Sequence, residues 1–198
     1  MTMTGRIDDE DVVKLLRSKV VSYPDFPKKG IEFLDFFPIL RDPNAFEVMI
    51  NHLINHIRKL IKVDGTVDRS KDDDEGLPLL IVGLDSRGFL IGPTLASRLG
   101  CGFVPIRKPG KLPGKTQSVD YQKEYGIDTF EIQSDSIKPN QPVIIIDDLI
   151  ATGGSARAAE ELVLKLGATV LESIFVIEIE SLRGTSSLKF PSYSIIKN

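Results

Sequence analysis

From residue 79 onward short apolar runs alternate with helical patterns, and that alternation predicts an α/β protein with a mainly parallel sheet flanked by helices. The order strand, helix, strand requires right-handed βαβ crossovers, which gather ligands at the carboxyl ends of the strands. At 198 residues, with no internal repeat and no second hydrophobic core, the chain is expected to form a single domain without metals or disulfides as staples.

Asp8 is placed to cap a first helix, because Val12, Val13, Leu16 and Val20 recur behind it at helical spacing. Asp42 followed by Pro43 starts a second helix, whose apolar stripe runs through Phe46, Ile50, Leu53, Ile54, Ile57 and Ile61. His52 and His56 lie four apart on it, a spacing that can bind metal. Without a third ligand nearby they read as helix-surface residues. Residues 63–76 carry Asp72, Asp73, Asp74 and Glu75 in a row, too charged to bury, and predict a solvated surface loop. Strands follow at 79–82, 103–106, 143–146 and 171–177, with helices at 92–99 and 155–166.

Composition narrows the function. Hydrophobic residues at 41% and charged residues at 27% fit a soluble globular protein, and no apolar run approaches the ~20 residues that cross a bilayer. The first eleven residues are polar and acidic, unlike a secretory or transit signal, so a cytosolic address is expected. The single Cys101 gives neither a disulfide nor a zinc spacing and reads as a small buried hydrophobe. A net charge of -3 argues against a nucleic-acid partner, which calls for a basic face. Arg107, Lys108, Lys111 and Lys115 nevertheless cluster in one Gly/Pro-rich stretch and suggest a local anion site.

The densest chemistry lies in Val143-Ile144-Ile145-Ile146-Asp147-Asp148-Leu149-Ile150-Ala151-Thr152-Gly153-Gly154-Ser155. Adjacent glycines let successive N–H groups converge on one spot, the following helix adds its positive N-terminal dipole, and Thr152 and Ser155 add hydroxyls. That is a cup for a phosphate dianion. Carboxylates at Asp147 and Asp148 would repel an anion unless they face something else, and ribose hydroxyls beside developing positive charge on a sugar are natural partners. A second turn, Leu84-Asp85-Ser86-Arg87-Gly88, follows the 79–82 strand and therefore also stands at a carboxyl end.

The thirteen-residue run 143–155 resembles the phosphoribosyl pyrophosphate (PRPP) motif of the type I phosphoribosyltransferases. The resemblance implies that Asp147 and Asp148 contact the ribose 2′- and 3′-hydroxyls, that Ala151, Thr152, Gly153, Gly154 and Ser155 hold the 5′-phosphate, and that Asp85, Ser86 and Arg87 hold pyrophosphate. It also implies a small hood over about residues 1–40, a core over about 41–198 and a lid over about 107–126, with Lys108 and Lys111 on the pyrophosphate. Ordering the thirteen residues 109–121 would cost on the order of 10–20 kcal/mol in backbone entropy, against ~1.5–3 kcal/mol for each charge-assisted hydrogen bond. The lid is thus expected to be mobile until PRPP binds.

Tyr23-Pro24-Asp25-Phe26-Pro27, Gly30-Ile31-Glu32-Phe33, Asp85 to Leu90, Lys108 to Gly114, Glu124-Tyr125-Gly126 and Ile177-Glu178-Ile179 narrow the likeness, in order, to the adenine phosphoribosyltransferases. By this resemblance Phe33 stacks on the purine, Ile179 packs on its other face, and Arg87 lies between base and pyrophosphate. Glu124 is then the catalytic proton-transfer residue, adenine and PRPP are the substrates in purine salvage, and the assembly is a homodimer. Glu32 and the long acidic stretch 66–76 depart from the family pattern. Mg²⁺ is implied as the hard cation on a pyrophosphate leaving group, bound mainly through substrate and water rather than by protein ligands. Two other readings share the PRPP motif: a transferase for a 6-oxopurine or orotate, which would differ at Phe33 and Ile179, and a non-catalytic PRPP-sensing regulator. The regulator would need a DNA-binding domain for which the chain has neither spare length nor basic surface.

Overall fold

The computed structural model describes residues 8–26, 28–64, 77–123 and 126–198. Two compact units divide the chain, Met1–Ile57 and Arg58–Asn198. In the first, α1 (Asp9–Arg17) starts where expected, with the Asp8 carboxylate accepting a 2.8 Å hydrogen bond from the Asp11 N–H. An antiparallel pair that the sequence reading did not resolve, β1 (Val21–Pro24) and β2 (Glu32–Asp35), leads through the short α2 (Phe37–Arg41) into α3 (Pro43–Asp64). Along α3 the predicted stripe is buried at Ile50, Leu53, Ile54, Ile57 and Ile61. His52 departs from its reading as a surface residue: only 8% of its side chain is exposed, with Nδ1 3.4 Å from Asp9 Oδ1. The acidic stretch 66–76 lies outside the described residues.

The second unit holds a five-stranded parallel sheet in the order β4-β3-β7-β8-β9, formed by β3 (Leu80–Leu84), β4 (Gly102–Ile106), β7 (Pro142–Ile150), β8 (Thr169–Glu178) and β9 (Ser192–Lys197). Its central strands are continuous apolar runs because helices cover both faces: Ile81, Val82, Ile144, Ile145 and Ile146 are fully buried. α4 (Gly92–Leu99) joins β3 to β4, and α5 (Gly154–Lys165) joins β7 to β8. Leu80, Val82, Val143 and Ile145 pack with Ala158, Ala159, Leu162 and Val163 of α5. Cys101, just before β4, is a half-buried free cysteine whose thiol is pushed up to about 11 by burial.

Two parts of this unit were not foreseen. β9 adds a fifth strand, with Ser194, Ile195 and Ile196 buried. β5 (Thr116–Lys123) and β6 (Gly126–Gln133) form an antiparallel hairpin whose Val119, Tyr121, Phe130 and Ile132 enter the same core as α5. Residues 116–121, expected within a mobile lid, are a paired strand with Val119 and Tyr121 buried. Only 107–115 keeps the turn-rich character that the glycines and prolines predicted.

Candidate active site

β3 and β7 are neighbours, and the crossovers leaving them run in opposite directions, β3 through α4 to one side and β7 through α5 to the other. Right-handed connections in both directions put the two helices on opposite faces and part the loops at the carboxyl ends of β3 and β7. A cavity of about 260 Å³ lies there. One lip is Asp85, Ser86 and Arg87 after β3. The other is the run from Asp147 through Ala156 at the end of β7 and the start of α5, so both turns singled out in the sequence meet in one crevice.

The cup follows from local backbone rules. Gly153 has φ +82° and ψ −2°, a left-handed conformation that suits glycine, and it sits at the N-cap of α5 without a side-chain cap. The first N–H groups of α5 are left without that partner at the positive end of the helix dipole, which equips this end for an anion. Thr152 is exposed, whereas Ser155 and Gly154 are half-buried.

The acids sit beside the cup in drier surroundings. Asp148 is 2% exposed, and its Oδ2 lies 3.0 Å from Nε of Arg87. This is an ion pair by distance and not an aligned hydrogen bond, since that oxygen accepts none. Phe175, level with Asp147 on β8, packs with Ile150 and Ala156 to give the crevice an apolar wall. Burial pushes both carboxyls above their ordinary range, and the neighbouring Asp148 charge raises Asp147 further. Arg87 opposes the rise in both.

Other predicted residues are placed elsewhere. Lys108 does not line the cavity: its ammonium pairs with Asp128, and it lies 5.9 and 5.6 Å from the ring centroids of Tyr121 and Phe130. Lys111 also stays off the lining, and its exposed backbone carbonyl accepts from Arg107 Nη1 at 3.3 Å. Arg107 in turn holds Asp85, Nε to Oδ2, at 3.1 Å. Ile179 is half-buried and its N–H donates to the Ile150 carbonyl at 3.0 Å. Phe33 belongs to the first unit, in edge contact with Phe26 at 5.1 Å. Glu32 in that unit accepts a hydrogen bond from the Ser22 hydroxyl, which gives its charge a local partner. Glu124 lies outside the described residues. The lining also includes Gln122, two residues before Glu124, and Phe175, which nothing distinguishes from the rest of an apolar strand.

Among the described residues no group of three or more His, Cys, Asp or Glu side chains is arranged to hold a metal ion. Asp147 and Asp148 are hard oxygen donors at the cavity, a set that fits a cation carried mainly by a polyanionic substrate better than a protein-built cage.

A family model described as phosphoribosyl transferase domain matches residues 49–197. An adenine phosphoribosyltransferase of Yarrowia lipolytica is 50% identical over 181 residues, covering 91% of this chain and 93% of its own. Another, of Drosophila pseudoobscura pseudoobscura, is 47% identical over 193 residues, with 98% and 99% covered. Among solved structures, the Saccharomyces cerevisiae adenine phosphoribosyltransferase, complexed with an imino-altritol bisphosphate and adenine, matches with a TM-score of 0.84 at 45% identity. It covers 94% of this chain and 99% of that one. The Giardia lamblia enzyme complexed with 9-deazaadenine matches with a TM-score of 0.78 at 31% identity over 98% and 99% of the two chains.

Proposed function

The chain belongs to the adenine phosphoribosyltransferases, within the phosphoribosyltransferase family, and from that premise we propose that it transfers the 5-phosphoribosyl group of PRPP to adenine, giving AMP and pyrophosphate. The observation that carries this reading is the crevice itself, with a Thr-Gly-Gly-Ser cup and two carboxylates on one lip and Asp85, Ser86 and Arg87 on the other.

The N–H groups of 151–155 and the hydroxyls of Thr152 and Ser155 receive the 5′-phosphate, which the helix dipole favours. Asp147 and Asp148 accept from the ribose 2′- and 3′-hydroxyls. The bond from ribose C1 to pyrophosphate breaks as the bond to an imidazole nitrogen of adenine forms, through an oxocarbenium-like transition state. Positive charge develops on the sugar next to the two carboxylates, whose attraction is strengthened by the apolar wall at Phe175. Asp85, Ser86 and Arg87 steady the departing pyrophosphate. Glu124 takes the proton that the adenine ring nitrogen loses; Phe33 and Ile179 are each, by the family resemblance, candidates for contact with the base. Lys108 and Lys111 remain candidates for pyrophosphate contact, which would require Lys108 to leave Asp128. Mg²⁺, when bound through substrate and water, would neutralise charge on the leaving group, and Asp147 and Asp148 are the residues of the chain that would approach it. A homodimer in a cytosolic, purine-salvage setting is part of the same proposal.

Base choice is the sharpest test. The 6-amino group of adenine donates, so backbone carbonyls near residues 31–33 suit it, whereas a 6-oxopurine would leave them unpaired. A site built to hydrogen-bond a group rejects its absence strongly, and kcat/KM for adenine should exceed that for hypoxanthine by at least about 10². Competition between radiolabelled adenine and hypoxanthine at equal concentration measures it. Equal incorporation would overturn adenine specificity, and no pyrophosphate release with any base would overturn the enzyme.

A further inference from the structure

The chain between β8 and β9 contains a short 3-10 turn, Gly184–Ser187, none of whose residues lines the cavity. Gly184 is buried, and a Cβ built on it would collide with the Ala151 carbonyl oxygen and stand 2.8 Å from the Gly153 nitrogen. Reciprocally, a Cβ on Gly153 would collide with the Gly184 carbonyl oxygen and the Ser187 hydroxyl. The two glycines thus meet backbone to backbone, directly behind the phosphate cup.

The turn is held where it is. Ser187 Oγ donates to the Gly184 carbonyl at 2.7 Å, and Thr185 Oγ1 donates at 3.0 Å to Glu178 Oε1. Glu178 is 8% exposed and pairs in register with Ile150, the residue before the cup. Leu188, at the end of the turn, packs against Ile150, Ala156 and Phe175. One side of this contact is fixed by strand pairing and the other by apolar packing, so neither backbone can yield without moving the cup.

We propose that Gly184 is a positioning residue for PRPP: the turn it opens is the floor on which residues 151–153 rest, and it sets where their N–H groups converge. The inference rests on the phosphoribosyltransferase reading but concerns a residue that touches no substrate. Backbone packed on backbone has no rotamer with which to absorb an added methyl, so the extra volume at Gly184 displaces Ala151 and Gly153. A misplacement of ~1 Å in such a site can cost up to about 10²-fold.

The test is Gly184→Ala, with PRPP and AMP affinity read by calorimetry, adenine KM read from initial rates, and folding read by circular dichroism. PRPP and AMP should each bind at least about tenfold more weakly, with adenine KM changed less than about threefold. Gly102→Ala is the matched control. There an added Cβ would meet only the tip of a flexible side chain, Leu80 Cδ2 at 2.6 Å, at the amino end of the sheet, so the variant should keep PRPP affinity. Should Gly184→Ala not fold, Thr185→Val decides the matter, because it keeps the shape and removes only the tie to Glu178; it should weaken PRPP about threefold or more. Wild-type affinity in Gly184→Ala, an equal loss in Gly102→Ala, or unchanged PRPP affinity in Thr185→Val would overturn the proposal. A wild-type chain that bound no PRPP would instead overturn the parent reading.

Discussion

Asp147 illustrates how a residue can serve the site at the expense of the fold. Its carboxyl is raised by burial and by Asp148, so the folded chain binds more protons than the unfolded one across the interval between the ordinary and the raised value. The stability it contributes is therefore lost, not gained, as pH rises through that interval, and at neutral pH an ionised Asp147 is a burden. Asp147→Asn should raise the melting temperature of the ligand-free protein by about 2–4 °C, a shift equivalent to ~1 kcal/mol at this chain length, while PRPP affinity falls. Differential scanning calorimetry at pH 7 checks the sign, and a lower melting temperature would mean that the carboxylate is already compensated. Gly153→Val is the converse case. At φ +82° a branched side chain is strained, and its Cβ would collide with the Gly184 carbonyl, so PRPP binding should be abolished in equilibrium dialysis.

At the scale of elements, the β5–β6 hairpin is where composition misled. Lysines, glycines and prolines predicted a lid over about 107–126, drawn as irregular turn, whereas 116–121 is a strand of the hairpin. The correcting signal was present: Val119 and Tyr121 alternate with polar Ser118, Asp120 and Gln122, a period of two that makes one face of a ribbon. The hairpin's own fastening is Asp128, which takes the Lys108 ammonium and the Tyr121 hydroxyl, the latter at 3.3 Å, beside stacked Tyr121 and Phe130. Asp128→Ala should cost about 1–2 kcal/mol and lower amide-exchange protection across 116–133 while sparing α4. Unchanged protection in the hairpin would remove Asp128 from its support. By contrast, helices 92–99 and 155–166 were read within a residue of their bounds, because 3.6-residue periodicity and the glycines that bound them are local signals. β9 was missed because Ser192, Tyr193 and Ser194 offer no contiguous apolar run, and only its place beside β8 buries it. Within the site, the two turns were legible as motifs. The pairing of Lys108 with Asp128 was not, because it joins residues twenty apart through a fold the sequence does not display.

For the whole molecule, the lips of the crevice come from turns at 85–87 and 147–156, so neither turn alone makes the site and ligand binding is coupled to the folding that brings them together. AMP at a hundred times its Kd should add ~2.7 kcal/mol, raising the melting temperature by about 5–10 °C. EDTA should abolish turnover yet leave the melting temperature of the ligand-free protein unchanged, since among the described residues no metal-ligating cluster supports the fold. A destabilised ligand-free protein would place a metal in the structure rather than on the substrate. The burial of Cys101 has a practical outcome for watching such events. With its thiol pushed up to about 11, almost none of it is thiolate at neutral pH, and the chain should behave towards maleimides as though it contained no cysteine. A cysteine introduced at exposed Asp120 would then be the one reactive address on the surface, open to a fluorophore or spin label without first deleting the natural residue.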